Sequence, residues 1–271
     1  MHPIAEKHLR KSALPTLLCP GCGHGTVLNA FVRAVDELGI VDELGLVGGI
    51  GCSGWIPVFV NADVMHALHG RAIPTATGLK LSNPCLKVVV FTGDGDCCGI
   101  GGNHFLHGAR RNLDLTVIML DNHIYGMTGG QVAPTTPKGA RTQTSPYGNP
   151  EASLDASAVA ISCGATYVAR WTTAHPKGIF KAIKEGIQHK GFSFIHVVSQ
   201  CPTQAGRYIY GTGDPVELLQ FLKKGSVPVA KAKKMSAEDV QDKILVGKLH
   251  EDHDRPELSQ ELYALMEKAR G

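Results

Sequence analysis

No uninterrupted apolar run in this 271-residue chain approaches the roughly 20 residues that span a bilayer, so the sequence offers no helical membrane segment. The first residues, Met-His-Pro-Ile-Ala-Glu-Lys-His, lack the apolar core of a secretory signal. The expected location is the cytoplasm, without a membrane partner. A strong charge imbalance is missing too: the net charge is +3 and the pI about 8.4. With the basic residues scattered, that is too little for a nucleic-acid surface. There is no internal repeat and no low-complexity tract, which sets aside solenoids and disordered chains. Eight cysteines remain to be explained. In a reducing compartment they are expected as ligands, core residues or reactive thiols rather than disulfides.

What is present points to an α/β enzyme. Hydrophobic residues make up 43% and glycines number 32, a composition that suits such a domain, and the length admits one large domain or two small ones. The most informative stretch is 87–131. Residues 88–91, Val-Val-Val-Phe, form a short β-branched run that stops at Gly93-Asp94-Gly95, the pattern of a buried parallel strand entering a tight turn. Residues 100–111 have helical composition, and a second apolar strand at 115–120 ends at Asp121-Asn122. If the two strands are neighbours, Asp94 and Asn122 meet at one rim of the sheet, where open α/β sheets bind ligands. Two oxygen ligands there suit Mg2+, which takes its remaining positions from phosphate and water. A diphosphate would lie against glycine-rich backbone and the start of the helix at 100. Gly-Asp-Gly alone marks only a turn; the strand, the helix and the matched Asp-Asn give it weight.

Four cysteines stand in loops or at strand ends beside Gly or Pro: Cys19 and Cys22 at C-x-x-C spacing, Cys52 in a Gly-rich turn, and Cys201 after the strand at 192–198. Converging, they would hold either Zn2+ or a [4Fe-4S] cluster, and spacing does not choose between these or exclude four ordinary buried thiols. Cys85, Cys97, Cys98 and Cys163 lie in other settings.

Elsewhere, residues 1–16 read as a polar lead-in that lies on a partner, and 26–38 as a helix with Val27, Ala30, Phe31, Ala34 and Leu38 on one face. Residues 47–55 resemble a strand ending in a ligand-binding turn. His69 and Arg71 flank a glycine. Residues 134–150, rich in turn formers and poor in apolar residues, read as a surface loop of unusual length, as lids and binding loops are. Helices are expected at 157–164, 176–189 and 215–224. Residues 225–234 read as a basic linker without a core, and 236–271 as a charged arm, with a strand at 244–249, too sparse to bury a core alone. The division is therefore a cofactor-binding domain at 1–225 and an extension at 226–271 packing on a partner.

The fuller text resembles a known family. Gly-Asp-Gly-Asp, Gly-Gly-Asn-His-Phe-Leu-His-Gly-Ala-Arg-Arg-Asn and Tyr-Gly-Met-Thr-Gly-Gly-Gln-Val-Ala-Pro-Thr-Thr are similar to the thiamine diphosphate-binding β subunit of 2-oxoacid:ferredoxin oxidoreductases, over 18–227 and more weakly beyond. The resemblance implies a mostly parallel sheet flanked by helices. It implies Mg2+ held by Asp94, the Asn122 side chain and the Ile124 carbonyl. Cofactor contacts would come from Cys52, Ser53, Gly93, Gly95, Asp96, Tyr125, Gly126, Met127 and Thr128, with His69 as a polar contact and candidate catalytic side chain. Cys-Pro-Gly-Cys-Gly, Gly-Ile-Gly-Cys-Ser-Gly and Cys-Pro-Thr-Gln match the family's cluster ligands, so Cys19, Cys22, Cys52 and Cys201 would hold [4Fe-4S].

The implied reaction is CoA-dependent oxidative decarboxylation of a 2-oxoacid, with 2-oxoglutarate the best match ahead of pyruvate or branched-chain acids. Ferredoxin would accept the electrons. A second substrate carboxylate needs a cationic partner, for which Arg207 and Arg141 are the candidates, the other reading being that both are surface residues. The family's activating glutamate lies on a pyrimidine-binding domain for which this chain has no room, so an α subunit must complete the site, and small γ and δ subunits are compatible with it. The rival readings are a thiamine decarboxylase or carboligase without electron transfer, and a zinc-bound scaffold subunit.

Overall fold

The β-branched runs become the middle of a sheet. In the computed structural model, which describes residues 2–271, the strands are β1 (Leu44–Gly48), β2 (Asp63–His66), β3 (Lys87–Gly93), β4 (Leu115–Asp121), β5 (Ile124–Tyr125), β6 (Gln131–Val132), β7 (Tyr167–Thr172), β8 (Phe192–Val198), β9 (Ser226–Pro228) and β10 (Ile244–Glu251). Eight of them form one sheet in the order β2-β1-β3-β4-β8-β7-β10-β9, and β5 and β6 make a separate small hairpin. Neighbours in the large sheet are parallel except β10, which runs antiparallel to β7. The expected α/β class with a mostly parallel sheet is what is found.

Period-2 alternation decides which side chains meet which helices. Val89 and Phe91 of β3, with Ile118 and Leu120 of β4, face the helices His24–Leu38 and Pro176–Gln188. Val88, Val90, Val117 and Met119 face the helices Ala72–Ser82, Gly102–Arg111 and Ala156–Ser162. Both faces are covered, so the central strands carry no polar alternation. After β1 the chain returns to β2 on one side, then crosses to β3 on the other. This reversal opens a crevice at the carboxyl ends of β1 and β3.

Four sequence readings change. The helix expected from 100 begins earlier, with a π-helical turn at Gly95–Ile100 immediately after Asp94, followed by the α-helix from Gly102. The strand β7 was not expected at all. The lead-in folds onto its own chain: Pro3–His8 is helical, and Lys7 and His8 each reach Asp36 at 2.8 Å. The basic linker is in fact β9 and a short helix, with Val227 buried.

The segment 226–271 is stitched into this chain's sheet. Asn112, the left-handed cap of the helix Gly102–Arg111 (φ 51°), donates from Nδ2 to Pro256 O at 3.0 Å and accepts at Oδ1 from Phe192 N and Thr166 Oγ1, each at 2.8 Å. The buried Glu257 accepts from Asp114 N at 2.8 Å and caps the helix Leu258–Arg270. Arg255 donates to the carbonyls of Gly164 and Arg110, and Tyr263 Oη donates to Leu81 O at 2.6 Å. Leu265 and Met266 stay exposed on the outer face of the last helix. An Asn112→Ala variant leaves the Phe192 amide and Thr166 hydroxyl without their acceptor. It is expected to lose about 2–4 kcal/mol in chemical denaturation and to expose the 226–271 segment to protease. Stability within about 0.5 kcal/mol of the parent would show that the stitch carries no weight.

Candidate functional site

Because β3 and β4 are adjacent and in register, Gly93 opposite Leu120, their following residues arrive at one rim. Asp94 and Asn122 stand there, 2% and 7% exposed, in the wall of one cleft. All the other cofactor positions read from the sequence line that cleft as well. Cys52 and Ser53 come from the turn after β1, His69 from the loop after β2, Gly93, Gly95 and Asp96 from the β3 turn, and Ile124, Tyr125, Gly126, Met127 and Thr128 from the β5 hairpin. The cleft encloses about 90 Å³, well under the ~300–1,000 Å³ of a complete small-molecule site.

Several of the polar groups around the cleft are buried and bonded to one another. Thr135 Oγ1 lies 2.7 Å from Asp94 Oδ2 and 2.8 Å from Asp121 Oδ1. A hydroxyl carries one proton, so it can donate to only one carboxylate and must accept a proton from the other. Burial, and then the charge of Asp121, raise Asp94 well above the ordinary carboxylate value. Burial pushes Asp121 the same way, but His123 and the bond from His196 Nε2, at 2.8 Å, outweigh it and hold Asp121 low. Of the two carboxyls Asp94 is thus the one held high and Asp121 the one held low. Asn122 Oδ1 accepts from Ile124 N at 3.2 Å, which fixes the amide beside it. Ser53 Oγ is buried without a hydrogen-bond partner, an orphan that a bound polar group would satisfy.

Asp96, in the cleft lining, also braces its wall. Its carboxylate accepts from Thr92 Oγ1 (2.6 Å), Gly70 N (2.7 Å) and Ile50 N (3.3 Å), and meets His69 Nδ1 at 2.5 Å. It ties the β1 turn, the His69 loop and β3 together and sets the His69 ring. Tyr125 closes the other wall, its hydroxyl donating to Gly95 O at 3.1 Å. A Cβ on Gly95 would stand 2.2 Å from the Tyr125 ring, so only glycine fits there.

Next to the cleft is a second cavity, about 370 Å³, whose lining includes Cys19, Cys22, Cys52 and Cys201. Cys52 lines both spaces. A Cβ on Gly126 would be 3.8 Å from each of the Cys52 and Cys201 sulfurs and 3.2 Å from the Asn122 amide, and Asn122, Gly126 and Met127 line both cavities as Cys52 does. Burial first, and then the neighbouring thiols, push Cys22 up to about 12 and Cys52 up to about 11. Among the described residues no three His, Cys, Asp or Glu side chains stand close enough to share one ion; the thiols surround a space. Cys85, Cys97, Cys98 and Cys163 line neither cavity, and all eight cysteines are free.

Several residues of the site escaped the sequence reading. His24 is buried in the cleft wall with Nδ1 2.9 Å from Ser199 Oγ, and burial lowers it to about 4, so it is neutral. It follows Cys-Pro-Gly-Cys-Gly directly, but the thiols drew the assignment. Thr135 sits in the loop read as a lid. That loop instead has Thr135, Thr136, Thr142 and Asn149 buried, with Thr136 Oγ1 donating to His123 O at 2.6 Å. Neither Arg141 nor Arg207 reaches the cleft, and no lysine or arginine lines it; both are exposed. The expected cation for a second substrate carboxylate is thus not found here.

The comparisons with known proteins agree with this arrangement. Residues 49–197 match the family described as thiamine pyrophosphate enzyme, C-terminal TPP binding domain. The 2-oxoglutarate synthase subunit KorB of Methanocaldococcus jannaschii is 52% identical, over 99% of this chain and 98% of that protein. The same subunit of Methanothermobacter marburgensis is 50% identical, over 98% of this chain and 93% of that one. Among solved structures, a chain of the 2-oxoglutarate:ferredoxin oxidoreductase of Magnetococcus marinus, with 2-oxoglutarate, coenzyme A and succinyl-CoA bound, superposes with a TM-score of 0.88 at 36% identity, covering 98% of this chain and 91% of that one. The chain belongs to the β-subunit family of the 2-oxoacid:ferredoxin oxidoreductases and carries that family's thiamine pyrophosphate-binding domain.

Proposed function

We propose that this chain is the β subunit of a 2-oxoglutarate:ferredoxin oxidoreductase, holding thiamine diphosphate, Mg2+ and one [4Fe-4S] cluster. One observation carries the reading: Cys52 lines both the cleft at Asp94 and Asn122 and the cavity of the four thiols. Electrons released in the first have an adjacent place to go. The net reaction turns 2-oxoglutarate and CoA into succinyl-CoA, CO2, a proton and two electrons, one for each of two ferredoxins.

Thiamine diphosphate supplies the electron sink that lets CO2 leave a 2-oxoacid. The chain's own residues do the rest. Asp94, the Asn122 amide and the Ile124 carbonyl hold Mg2+, an all-oxygen set of the kind that ion takes. The unpartnered Ser53 hydroxyl and the π-turn backbone from Gly95 receive the diphosphate. Asp96 fixes His69 as a polar contact to the cofactor, and Tyr125 to Thr128 border the ring. Cys19, Cys22, Cys52 and Cys201 hold the cluster; zinc would fit four thiolates too but offers no redox chemistry. The small enclosed volume supports an α subunit that supplies the pyrimidine-binding half and the cation for the second carboxylate. No helix among the described residues is long and apolar enough to cross a membrane, and eight free thiols fit the cytoplasm.

The direct test is calorimetric. The parent chain, assembled with its partner, is expected to bind thiamine diphosphate in a Mg2+-dependent manner, and Asp94→Ala to weaken that binding at least tenfold; unchanged affinity would refute the assignment. Purified without oxygen, the chain is expected to contain about four iron atoms and to be brown, whereas stoichiometric zinc, or a colourless protein, would favour the scaffold or the non-redox enzyme. Alone it is expected to be silent and to oxidise 2-oxoglutarate only when an α subunit is added. Full turnover by the single polypeptide would contradict the shared site.

A further inference from the structure

Beyond the cluster cavity lies a surface that the reaction itself does not use. Gly21, between Cys19 and Cys22, has φ +74°, and a Cβ there would stand 2.4 Å from Pro215 Cβ. The first residue of the helix Pro215–Gly225 is therefore seated on the thiol loop. Further along, Leu218, Phe221 and Leu222 of the helix line a small cavity together with Cys201, so the helix lies along that side of the thiols. Lys223 is eight residues beyond Pro215, about 12 Å at 1.5 Å per residue.

This segment holds the chain's positive charge. Residues 200–234 contain Arg207, Lys223, Lys224, Lys231, Lys233 and Lys234 against Asp214 and Glu217. That is a balance of +4 in a chain whose total is +3, so the remainder carries −1. All six basic residues are exposed, and among the described residues none forms an ion pair within the chain. Between them, large apolar side chains face outward: Val216 at 61% exposure, Phe221 at 49%, Tyr208 at 41% and Tyr210 at 37%. Tyr210 and Phe221 stack at 6.2 Å with an interplanar angle of 19°, a preformed aromatic plate rather than two loose rings. Unpaired basic residues around exposed aromatics have the composition of a protein interface, and their unneutralised field attracts an acidic partner and speeds its arrival.

We propose that the helix Pro215–Gly225 and the adjoining Arg207–Tyr210 surface form the docking face for an acidic, cluster-bearing electron carrier, which collects electrons at the thiol loop. The proposal rests on the reading of Cys19, Cys22, Cys52 and Cys201 as cluster ligands. Each turnover releases two electrons, so two carriers, each reduced by one electron, dock and leave in succession. A face that relies on charge more than on buried area suits that traffic, because it binds quickly and releases.

The test uses the assembled enzyme with its partner subunits, supplied with 2-oxoglutarate and CoA, and two acceptors: an acidic two-cluster bacterial ferredoxin and the small dye methyl viologen. In Lys223→Glu/Lys224→Glu the KM for ferredoxin is expected to rise about tenfold or more at low salt. The fall in parent rate with added NaCl should flatten, and dye reduction should stay within about twofold. Lys223→Gln/Lys224→Gln should fall between parent and charge reversal. A ferredoxin KM within about twofold of the parent would overturn the proposal. So would parallel loss of both activities or failure to assemble, which would mark the face as a subunit contact. A parent enzyme that reduces neither acceptor would overturn the electron-transfer reading and this surface with it.

Discussion

The site depends on one electrostatic constraint: a carboxylic acid buried at the rim of the sheet beside a second carboxylate. Asp94 and Asp121 are both almost fully buried and share a single threonine hydroxyl. Two such groups cannot both be charged without compensation. Asp121 has its own, from His123 and His196. For Asp94, burial and the Asp121 charge outweigh what Thr135, His123 and the backbone offer, so its carboxyl lies well above the ordinary value. Much of the surrounding structure serves to hold that arrangement. The register of β3 on β4 sets the two strand ends side by side. Ser157 Oγ, 3.1 Å from His196 Nδ1, fixes the imidazole behind Asp121, and the loop after Val132 carries Thr135 into the gap.

How much of this can be read from residues alone depends on whether the signal is local. The runs at 88–91 and 115–120 are continuous, β-branched and stopped by turn residues, so strand, rim and the Asp94 and Asn122 pair are legible without coordinates. The cysteines are legible as a convergent set because each sits in a turn. β7 is not, because its text, Tyr-Val-Ala-Arg-Trp-Thr, breaks its apolar run with Ala169 and Arg170. Arg170 is there to bond Leu245 O and Asp155, contacts that span the chain. The tail fails for the same reason: its anchors Asn112, Arg255 and Glu257 are polar, and polar anchors leave no periodic trace. Thr135 is hidden by its company, a stretch rich in Thr, Pro and Gly that reads as a surface loop while four of its polar side chains point inward.

The two cavities are best understood together. The turn after β1 delivers Ser53 to the cleft and Cys52 to both spaces, and Asn122, Gly126 and Met127 line both as well. A Cβ at 126 would press on the Asn122 amide at 3.2 Å and touch the two sulfurs at ordinary contact distance. Such closeness suits a reaction whose electrons must be removed one at a time from a centre that bulk solvent should not reach.

The most direct measurement is a crystal structure of the assembled enzyme with thiamine diphosphate and Mn2+ in place of Mg2+, read by anomalous scattering. The account predicts one peak in the cleft, about 2.1 Å from an Asp94 carboxylate oxygen and from Asn122 Oδ1, with diphosphate oxygens completing its shell. A peak coordinated by other residues, or a diphosphate seated with no metal between it and Asp94, would contradict it.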